Sequence, residues 1–428
     1  MDAYGLVCSA VFAGVIAAIA FGVLDRAVAG ALGVAVLLLV GAVGLSEAAG
    51  FIDWDVVGLV VLMSFYSVVL EVSGLARWVA LSLARRVESP VLLAYSITLA
   101  AGVLSLALEN AVTVLVFAPV ALALARALSI SPAPLVIGIA LASGMAGSAT
   151  MIGDPPAIIT AGHYDLGFLD FIVYKGRPSM FFITIASMVL ALAVYTFSNF
   201  RMASALRAGG DDGSRLDRVF AVEALLFLLV KVSLLSLRKE LEIPMSLAAA
   251  VSLSGIIATR LVLHGDRESV REVIEKGLDL RLPVFLSSVF ILSGSLKKHS
   301  VTDAVAEAAV GLAGESLVSL GVLVFLVSAA LSSLIENIPV TLTLLPVADS
   351  LAARVGADPV TLAWGVLAGL TAGGGWTYIG SGANVVAVRI LEREGVSVSF
   401  AGFTKTALPF NIANTTACLA LYAAIWLL

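Results

Sequence analysis

Long runs of apolar residues, separated by short polar loops, fill most of the chain. A run of about 20 apolar residues is enough to cross the hydrocarbon core of a bilayer. Runs of this kind lie at roughly 4–23, 28–45, 56–75, 132–163, 179–198, 219–237, 244–262, 281–296, 359–391 and 406–427. The pattern therefore predicts an all-α integral membrane protein with about ten transmembrane helices.

Two further apolar segments, 91–126 and 316–353, are too long for one span and carry a Glu-Asn pair near the middle. A straight helix would place Glu109 and Glu336 deep in lipid, where a carboxylate is costly. We predict that both segments are re-entrant hairpins, whose tips are buried in protein or face a watery cavity. The arginine-rich loops then share one face, which is cytoplasmic by the positive-inside rule, and both termini lie outside.

The second half of the chain repeats the first at a constant offset. The two Glu-Asn pairs are 336 − 109 = 227 residues apart, and Gly153 matches Gly380 at the same offset. Each half has five spans, and an odd number turns the second copy upside down. We predict a first inverted repeat at 1–198 (hairpin 91–126, broken helix 132–163), a cytoplasmic linker at 199–218, and a second inverted repeat at 219–428 (hairpin 316–353, broken helix 359–391).

Glycine-rich breaks interrupt the predicted helices 132–163 and 359–391. In 143–160 the glycines and Pro155-Pro156 end one half-helix, and a second starts near Asp154 with its N–H groups facing the break. In 371–387 glycines alone make the break. Paired broken helices in corresponding halves indicate a midplane transport site, so we expect both breaks and both tips to meet there. The alternative is a pair of glycine-kinked packing helices.

Polar residues of the tips and breaks are the candidate ligands. Glu109 and Glu336 have no Lys or Arg close to them in their own segments; they either bind a proton or cation, or cap the hairpin tips. Asp154 either binds a cation or caps the following half-helix. Thr113 and Thr341 either act as hydroxyl ligands or bond back to their own helices. The candidate set is Glu109, Asn110, Thr113, Ser143, Gly147, Ser148, Thr150, Asp154, Glu336, Asn337, Thr341, Gly374, Thr377, Ser381 and Asn384.

Composition narrows the class of protein. Apolar residues make up 60% and charged residues 13% of 428 residues, which excludes a water-soluble fold of this length. The net charge of −5 is spread over short loops, and no basic stripe indicates nucleic acid. Cys8 and Cys418 lie in apolar spans and indicate packing rather than a disulfide or metal pair. We expect Lys231 to lie near a span end and extend its amine to the membrane surface.

The tips and breaks resemble those of the ion transporter superfamily over nearly the whole chain. The motifs are LENAVTVLVFAPV, ASGMAGSATMIGDPPA, SLIENIPVTLTLLPV and GGGWTYIGSGANVVA. The closest branch holds arsenite permeases, NhaD-type sodium/proton antiporters and the melanosomal P protein, and citrate and dicarboxylate transporters share the architecture. The resemblance implies a scaffold part, a mobile transport part with an elevator-like motion, and a homodimer.

Several positions depart from that family pattern. Both tips carry Glu where family members commonly carry Asp, and Gly144, Ala157 and Gly375 stand where they often carry Asn. Of the asparagines of that pattern in the two breaks, only Asn384 in the second half remains. The loss of amides in the first half favours protons over sodium as the coupling ion. No GxxxxGK[ST] motif is present, so any ATPase would be a separate chain.

The combined expectation is a multi-pass secondary active transporter of the cell (inner) membrane, not an enzyme. It would move a small inorganic ion or metalloid, in arsenite-like export or sodium/proton exchange. The coupling ion would be H⁺ or Na⁺, and no other cofactor is expected. One alternative is a citrate or dicarboxylate symporter, since helix N-termini could hold a carboxylate. An alternative of another class is a passive anion channel, which would not need titratable tips.

Overall fold

The computed structural model describes residues 3–84, 87, 89–127, 130–200 and 217–428, and these are almost entirely helical. An antiparallel pair of two-residue strands, β1 (Val173–Tyr174) and β2 (Arg177–Pro178), precedes the last helix of the first half. The helices of that half are α1 (Ala3–Ala20), α2 (Arg26–Val40), α3 (Leu45–Phe51), α4 (Trp54–Val72), α5 (Leu75–Ala84), α6 (Pro90–Ser105), α7 (Asn110–Ala127), α8 (Ala133–Gly147), α9 (Pro155–His163) and α10 (Met180–Phe200).

The second half contains eleven α-helices, the last of which ends in a π-helical turn at Ala423–Leu427. They are α11 (Arg218–Ser236), α12 (Arg238–Leu241), α13 (Met245–Leu263), α14 (Arg267–Gly277), α15 (Arg281–Lys298), α16 (Val301–Ala313), α17 (Leu317–Ser332), α18 (Asn337–Val355), α19 (Pro359–Gly373), α20 (Gly382–Arg393) and α21 (Phe400–Tyr422).

The helices of the two halves begin at matching positions. The first residues of α4 and α15 are 281 − 54 = 227 positions apart, and those of α6 and α17 are 317 − 90 = 227 apart. The same offset separates α7 from α18 (337 − 110 = 227) and α9 from α20 (382 − 155 = 227). The sequence repeat is therefore also a repeat of helices, turns and breaks.

Eight helices in the described residues are long and apolar enough to cross a membrane, or nine if the bent pair α16–α17 counts as one. Seven of the eight coincide with predicted continuous spans, and the eighth, α18, is a hairpin arm. The other three predicted spans are α2, which has only 15 residues, and the two broken helices. The predicted fold class, an all-α membrane protein with broken helices, is confirmed.

The helices pack into two groups. In the first, which we call the scaffold group, α15 packs on α2, and α13 packs on both α4 and α11. In the second, the hairpin group, α17 packs on α19, α6 on α8, and α10 on α21. The hairpin tips and the broken helices all belong to the hairpin group, and α4 of the scaffold group lies against α9 and α7.

Ion pairs between distant loops agree with the re-entrant hairpins. Lys276 Nζ lies 3.0 Å from Glu71 Oε1, and the first hairpin and four predicted spans separate these residues in the sequence. Lys175 Nζ lies 2.7 Å from Asp358 Oδ2, with the second hairpin and four spans between them. If the first hairpin crossed the membrane once, Glu71 and Lys276 would lie on opposite faces. The same holds for Lys175 and Asp358 if the second hairpin crossed once. The contacts thus favour hairpins that return to their own side.

Two predicted features lie partly outside the described residues. Of the predicted interfacial helix 75–88, the structure describes α5, while Arg85, Arg86 and Glu88 lie outside the described part. Of the predicted linker 199–218, residues 201–216 lie outside it as well. The cytoplasmic position of that linker stays a prediction.

The expectation for Lys231 is wrong. Its side chain is fully buried rather than extended to the membrane surface. The amine lies 3.8 Å from the centroid of the Tyr66 ring and 3.1 Å from Met63 Sδ, both on α4. The reason is that α11 turns Lys231 toward α4 and not toward lipid. The mostly apolar residues around it do not reveal which face of α11 meets a neighbour.

Candidate functional site

The first break is held by the carboxylate of Asp154. Residues 148–154 between α8 and α9 are non-helical. Asp154 Oδ1 accepts a hydrogen bond from the Ala157 N–H (3.1 Å), and Oδ2 accepts one from Ser148 Oγ (2.9 Å). Asp154 therefore caps α9, where the helix dipole also favours a negative charge. The side chain is almost completely buried.

Glycine is required at the first break because backbone and side chains approach it closely. A Cβ at Gly153 would lie 2.1 Å from the Gly147 carbonyl oxygen, so no other residue fits without moving the chain. A Cβ at Gly147 would lie 2.8 Å from Asn110 Oδ1. The first hairpin tip, at Asn110, is thus in direct contact with the end of α8 where the break begins.

Hydroxyl groups attach the first tip to the broken helix. Thr150 Oγ1 donates to the Leu106 carbonyl (2.9 Å), and Ser143 Oγ donates to the Asn110 carbonyl (3.3 Å). Within the hairpin, Ser105 Oγ donates to Asn110 Oδ1 (2.8 Å). Because turn carbonyls in the bilayer have no water to bond, these contacts make the non-helical tip tolerable at membrane depth.

Glu109 and Asp154 line one cleft between the first tip, the break and α4. Its volume is about 20 Å³, enough for about one water-sized particle. The Glu109 N–H donates to Ser67 Oγ of α4 (2.9 Å), which docks the tip on the scaffold group. Within the described part of the chain, the Glu109 carboxylate has no hydrogen bond or ion pair. The tip-capping alternative therefore has no support at this residue.

The second break is held by an amide instead of a carboxylate. Asn384 Nδ2 donates to the carbonyls of Gly374 (2.9 Å) and Thr377 (3.1 Å) across the non-helical residues 374–381. Thr377 Oγ1 donates to the Ser333 carbonyl. This bond is the counterpart of the bond from Thr150 to the Leu106 carbonyl, because both residues are shifted by 227 positions. The two breaks share their architecture but differ in charge.

A second cleft lies between α8, the second break and the second tip. Asn337, Gly374, Ser381 and Asn384 line it, facing Gly144 of α8, and its volume is about 10 Å³. A Cβ at Gly144 would lie 3.6 Å from Ser381 Oγ, so α8 and the second break are in near contact. The predicted convergence is therefore divided between two clefts, with the acidic residues in one and the amides in the other.

Glu336 lies apart from both clefts and pairs with Arg26. Arg26 Nη1 lies 2.7 Å from Glu336 Oε1, and the charges of Glu109 and Asp279 also act on this guanidinium. Glu336 makes no capping hydrogen bond. The sequence correctly indicates no basic partner within the hairpin itself, but it misses this partner from α2. The available signal was an arginine directly at the start of an apolar span.

The two candidate threonines of the tips use their hydroxyls within their own helices. Thr113 Oγ1 donates to the Glu109 carbonyl (3.2 Å), and Thr341 Oγ1 donates to the Asn337 carbonyl (2.7 Å). Both side chains are fully buried. Of the two roles that the sequence allowed, back-bonding is the one observed, and neither threonine lines either of the two clefts.

Sequence reasoning also missed two asparagines on α21. Asn411 and Asn414 are buried, and Asn411 Nδ2 donates to the Gly375 carbonyl in the second break (2.8 Å). Two amides three residues apart lie on the same face of a helix. Polar residues in an apolar span indicate a function, so this spacing was the signal that could have found them.

A family comparison decides which proteins this chain belongs with. The family model described as the citrate transporter family, CitMHS, matches residues 16–369. The chain belongs to this family. It is therefore a multi-pass membrane transporter, and the predicted membership of the ion transporter superfamily is confirmed.

Relatives and a solved structure agree with this assignment. An uncharacterized transporter of Mycobacterium tuberculosis (strain H37Rv) is 31% identical over 361 residues, 83% of this chain and 82% of the relative. The human P protein is 25% identical over 96% of this chain and 58% of its own length. The crystal structure of the Alcanivorax borkumensis YdaH transporter superposes with a TM-score of 0.61 at 16% identity, covering 92% of this chain and 88% of that one. At that identity the likeness shows the fold alone.

Proposed function

We propose that the protein is a secondary active transporter that moves a small inorganic ion or metalloid, coupled to protons or sodium. The observation that carries this proposal is the cleft in which the Glu109 carboxylate meets the break held by Asp154. A carboxylate at membrane depth is costly unless it is protonated, paired or hydrated, and that of Glu109 has no hydrogen bond or ion pair in the described part of the chain. A proton or a cation in the cleft would supply the missing partner. A cleft of about 20 Å³ matches one such ion.

The Arg26–Glu336 pair supports a role for the second tip in coupling. Arg26 belongs to the scaffold group and Glu336 to the hairpin group, so the pair joins the two bodies whose relative motion would carry the substrate. Such motion has to break the pair. Protonation of Glu336, or the approach of another cation, weakens it and favours release of the hairpin group. The pair would in this way link binding of a proton or cation at Glu336 to movement of the hairpin group relative to the scaffold group.

A second candidate is symport of citrate or another carboxylate. The family match favours it, and the N-terminus of α20 faces the second break, where the helix dipole suits an anion. The N-terminus of α9 does not offer the same site, because Asp154 caps it. Against it, the two clefts of about 20 and 10 Å³ are far smaller than the several hundred Å³ typical of organic-ligand sites. We therefore rank the small-ion substrate first.

The test is flux in proteoliposomes with the purified full-length chain. Arsenite, sodium and citrate are offered separately, each with and without an imposed pH or sodium gradient. Gradient-driven accumulation of arsenite, or sodium-driven proton movement, is the expected result. Accumulation of citrate alone would replace the first candidate with the second. Substrate flux that runs only downhill and moves no protons or sodium would identify a channel and overturn secondary transport.

A further inference from the structure

The cleft that Glu109 and Asp154 line, here called the acidic cleft, is part of a longer contact between α4 and α9. Val60 and Met63 line it on α4, and Ile158 lines it on α9. Val60 and Met63 are three positions apart, and Asp154 and Ile158 four, so each pair lies on one face of its helix. One turn further along these faces, toward the predicted outer surface, lie the first turn of α4 and the last turn of α9.

At that level the two helices are in close contact through a glycine. A Cβ at Gly162 would lie 2.3 Å from Val56 Cγ2 and 3.2 Å from Asp53 Oδ2. Glycine therefore lets α9 approach the start of α4 more closely than any other residue would. Val56 is itself buried. The contact thus closes the interface of α4 and α9 between the acidic cleft and the outer surface.

Ion pairs hold the chain directly beyond this contact. Arg238 Nη2 lies 2.5 Å from Asp165 Oδ1, and Arg238 Nε donates to the Leu166 carbonyl (3.1 Å). Lys239 Nζ lies 3.0 Å from Asp170 Oδ2 in the same loop. We call these contacts of Arg238 and Lys239 the outer latch.

The outer latch joins the scaffold group to the hairpin group. Arg238 and Lys239 belong to α12, which connects α11 with α13 of the scaffold group. Asp165 and Asp170 lie in the loop that connects α9 with α10 of the hairpin group. Because neither group is covalently joined to the other at this point, the latch has to break when the two groups move past each other.

The matching end of the second broken helix has no comparable closure. At the offset of 227, the counterpart of Gly162 is Arg389 (162 + 227), whose side chain is exposed. α9 packs on α4, whereas α20 shows no comparable packing on α15 in the described part of the chain. The structure therefore closes one broken helix against the scaffold group and not the other, although the repeat makes the two helices equivalent.

We propose that Gly162 and the outer latch form a gate, which closes the acidic cleft to the outside until the latch opens and a proton or cation enters. This inference rests on the proposed function, since the gate opens only if the hairpin group moves. The side chain of Asp165 is 78% exposed and that of Arg238 is 8% exposed. An approaching cation therefore reaches the Asp165 carboxylate from solvent and competes with Arg238 for it.

The test is labelling of a reporter cysteine in intact cells that express the full-length chain. Ser64→Cys places a thiol in the wall of the acidic cleft, and an impermeant thiol reagent is added from outside. Cys8 and Cys418 are buried, and the chain without the reporter gives the background. Asp165→Asn removes the charge of the latch, and asparagine tolerates the left-handed backbone at this position (φ 50°). It should raise the labelling rate of the reporter roughly tenfold, equivalent to a shift of about 1.4 kcal/mol toward the open gate.

Lys298→Gln is the matched control. Lys298 Nζ also contacts one carboxylate and one carbonyl, those of Glu47 (2.7 Å) and Ala42 (3.2 Å), but all three residues lie within the scaffold group, on α15 and around α3. This variant should leave the labelling rate of the reporter unchanged. A rise as large as that in Asp165→Asn would mean that the loss of any outer ion pair loosens the protein, and would overturn the proposal.

Arg238→Gln breaks the latch from the side of the scaffold group and should raise the labelling rate as well. Unchanged labelling in both latch variants would overturn the gate, as would a rise seen only with reagent at the cytoplasmic face of inverted vesicles. Thermal unfolding identifies any variant that fails to fold, and Asp165→Asn changes an exposed side chain, so it should keep the fold. Labelling needs neither substrate nor gradient, whereas flux in proteoliposomes needs both, so a failed gate and a failed transporter give different results.

Discussion

The ion pair between Arg26 and Glu336 allows a quantitative prediction. Nη1 and Oε1 are 2.7 Å apart, and the side chains are 37% and 26% exposed. A charged hydrogen bond is worth about 1.5–3 kcal/mol when buried, and an exposed pair less than about 1 kcal/mol. For this half-exposed pair we expect a coupling energy of about 1–2 kcal/mol, which changes a two-state equilibrium by about 5–30-fold.

A double-mutant cycle measures that coupling. The free energies of unfolding of Arg26→Gln, Glu336→Gln and the double variant are measured in detergent. The double variant should lose less stability than the sum of the losses in the two single variants, and the difference is the coupling energy. The matched control is Arg281→Gln. Its guanidinium lies 3.4 Å from Asp25 Oδ2 and is 75% exposed, so its removal should cost almost nothing.

The same variants connect the pair to transport. If the pair holds the hairpin group on the scaffold group, Arg26→Gln should populate the alternative conformation more, and cysteine accessibility at the second tip should rise by about the factor that the coupling energy gives. Additive effects of Arg26→Gln and Glu336→Gln on stability, together with unchanged accessibility, would refute the reasoning that the pair links the two bodies.

Three further predictions concern the site and the topology. Glu109→Gln should stop ion-coupled flux in liposomes with little loss of thermal stability, since Gln keeps the shape and loses the charge; near-normal coupled flux would remove Glu109 from ion binding. Gly153→Ala should destabilise by about 1–3 kcal/mol because its Cβ would meet a backbone oxygen, whereas Gly144→Ala makes only ordinary contacts; equal melting temperatures would contradict the close approach. Glu47→Cys and Lys175→Cys should both react with an impermeant thiol reagent only from outside, because two spans and the first hairpin separate them, and labelling of the two positions from opposite faces would rule out the first re-entrant hairpin.

Much of the architecture could be read from local properties of the chain. The length of an apolar run determines whether it can cross a bilayer, and glycine or proline clusters determine where a helix stops. The 227-residue offset then predicted that α17–α20 would repeat α6–α9, and the helix bounds follow it closely. Each of these inferences depends on residues near each other in sequence.

The partners of the functional side chains were decided only by the tertiary structure. Arg26 meets Glu336 across 310 positions, Lys231 is buried against α4, and Asn411 reaches the second break from α21. A helix that is apolar on every face gives no indication of which face meets which neighbour. The physical reason is that packing orients these helices, and packing depends on contacts between segments that are remote in the sequence.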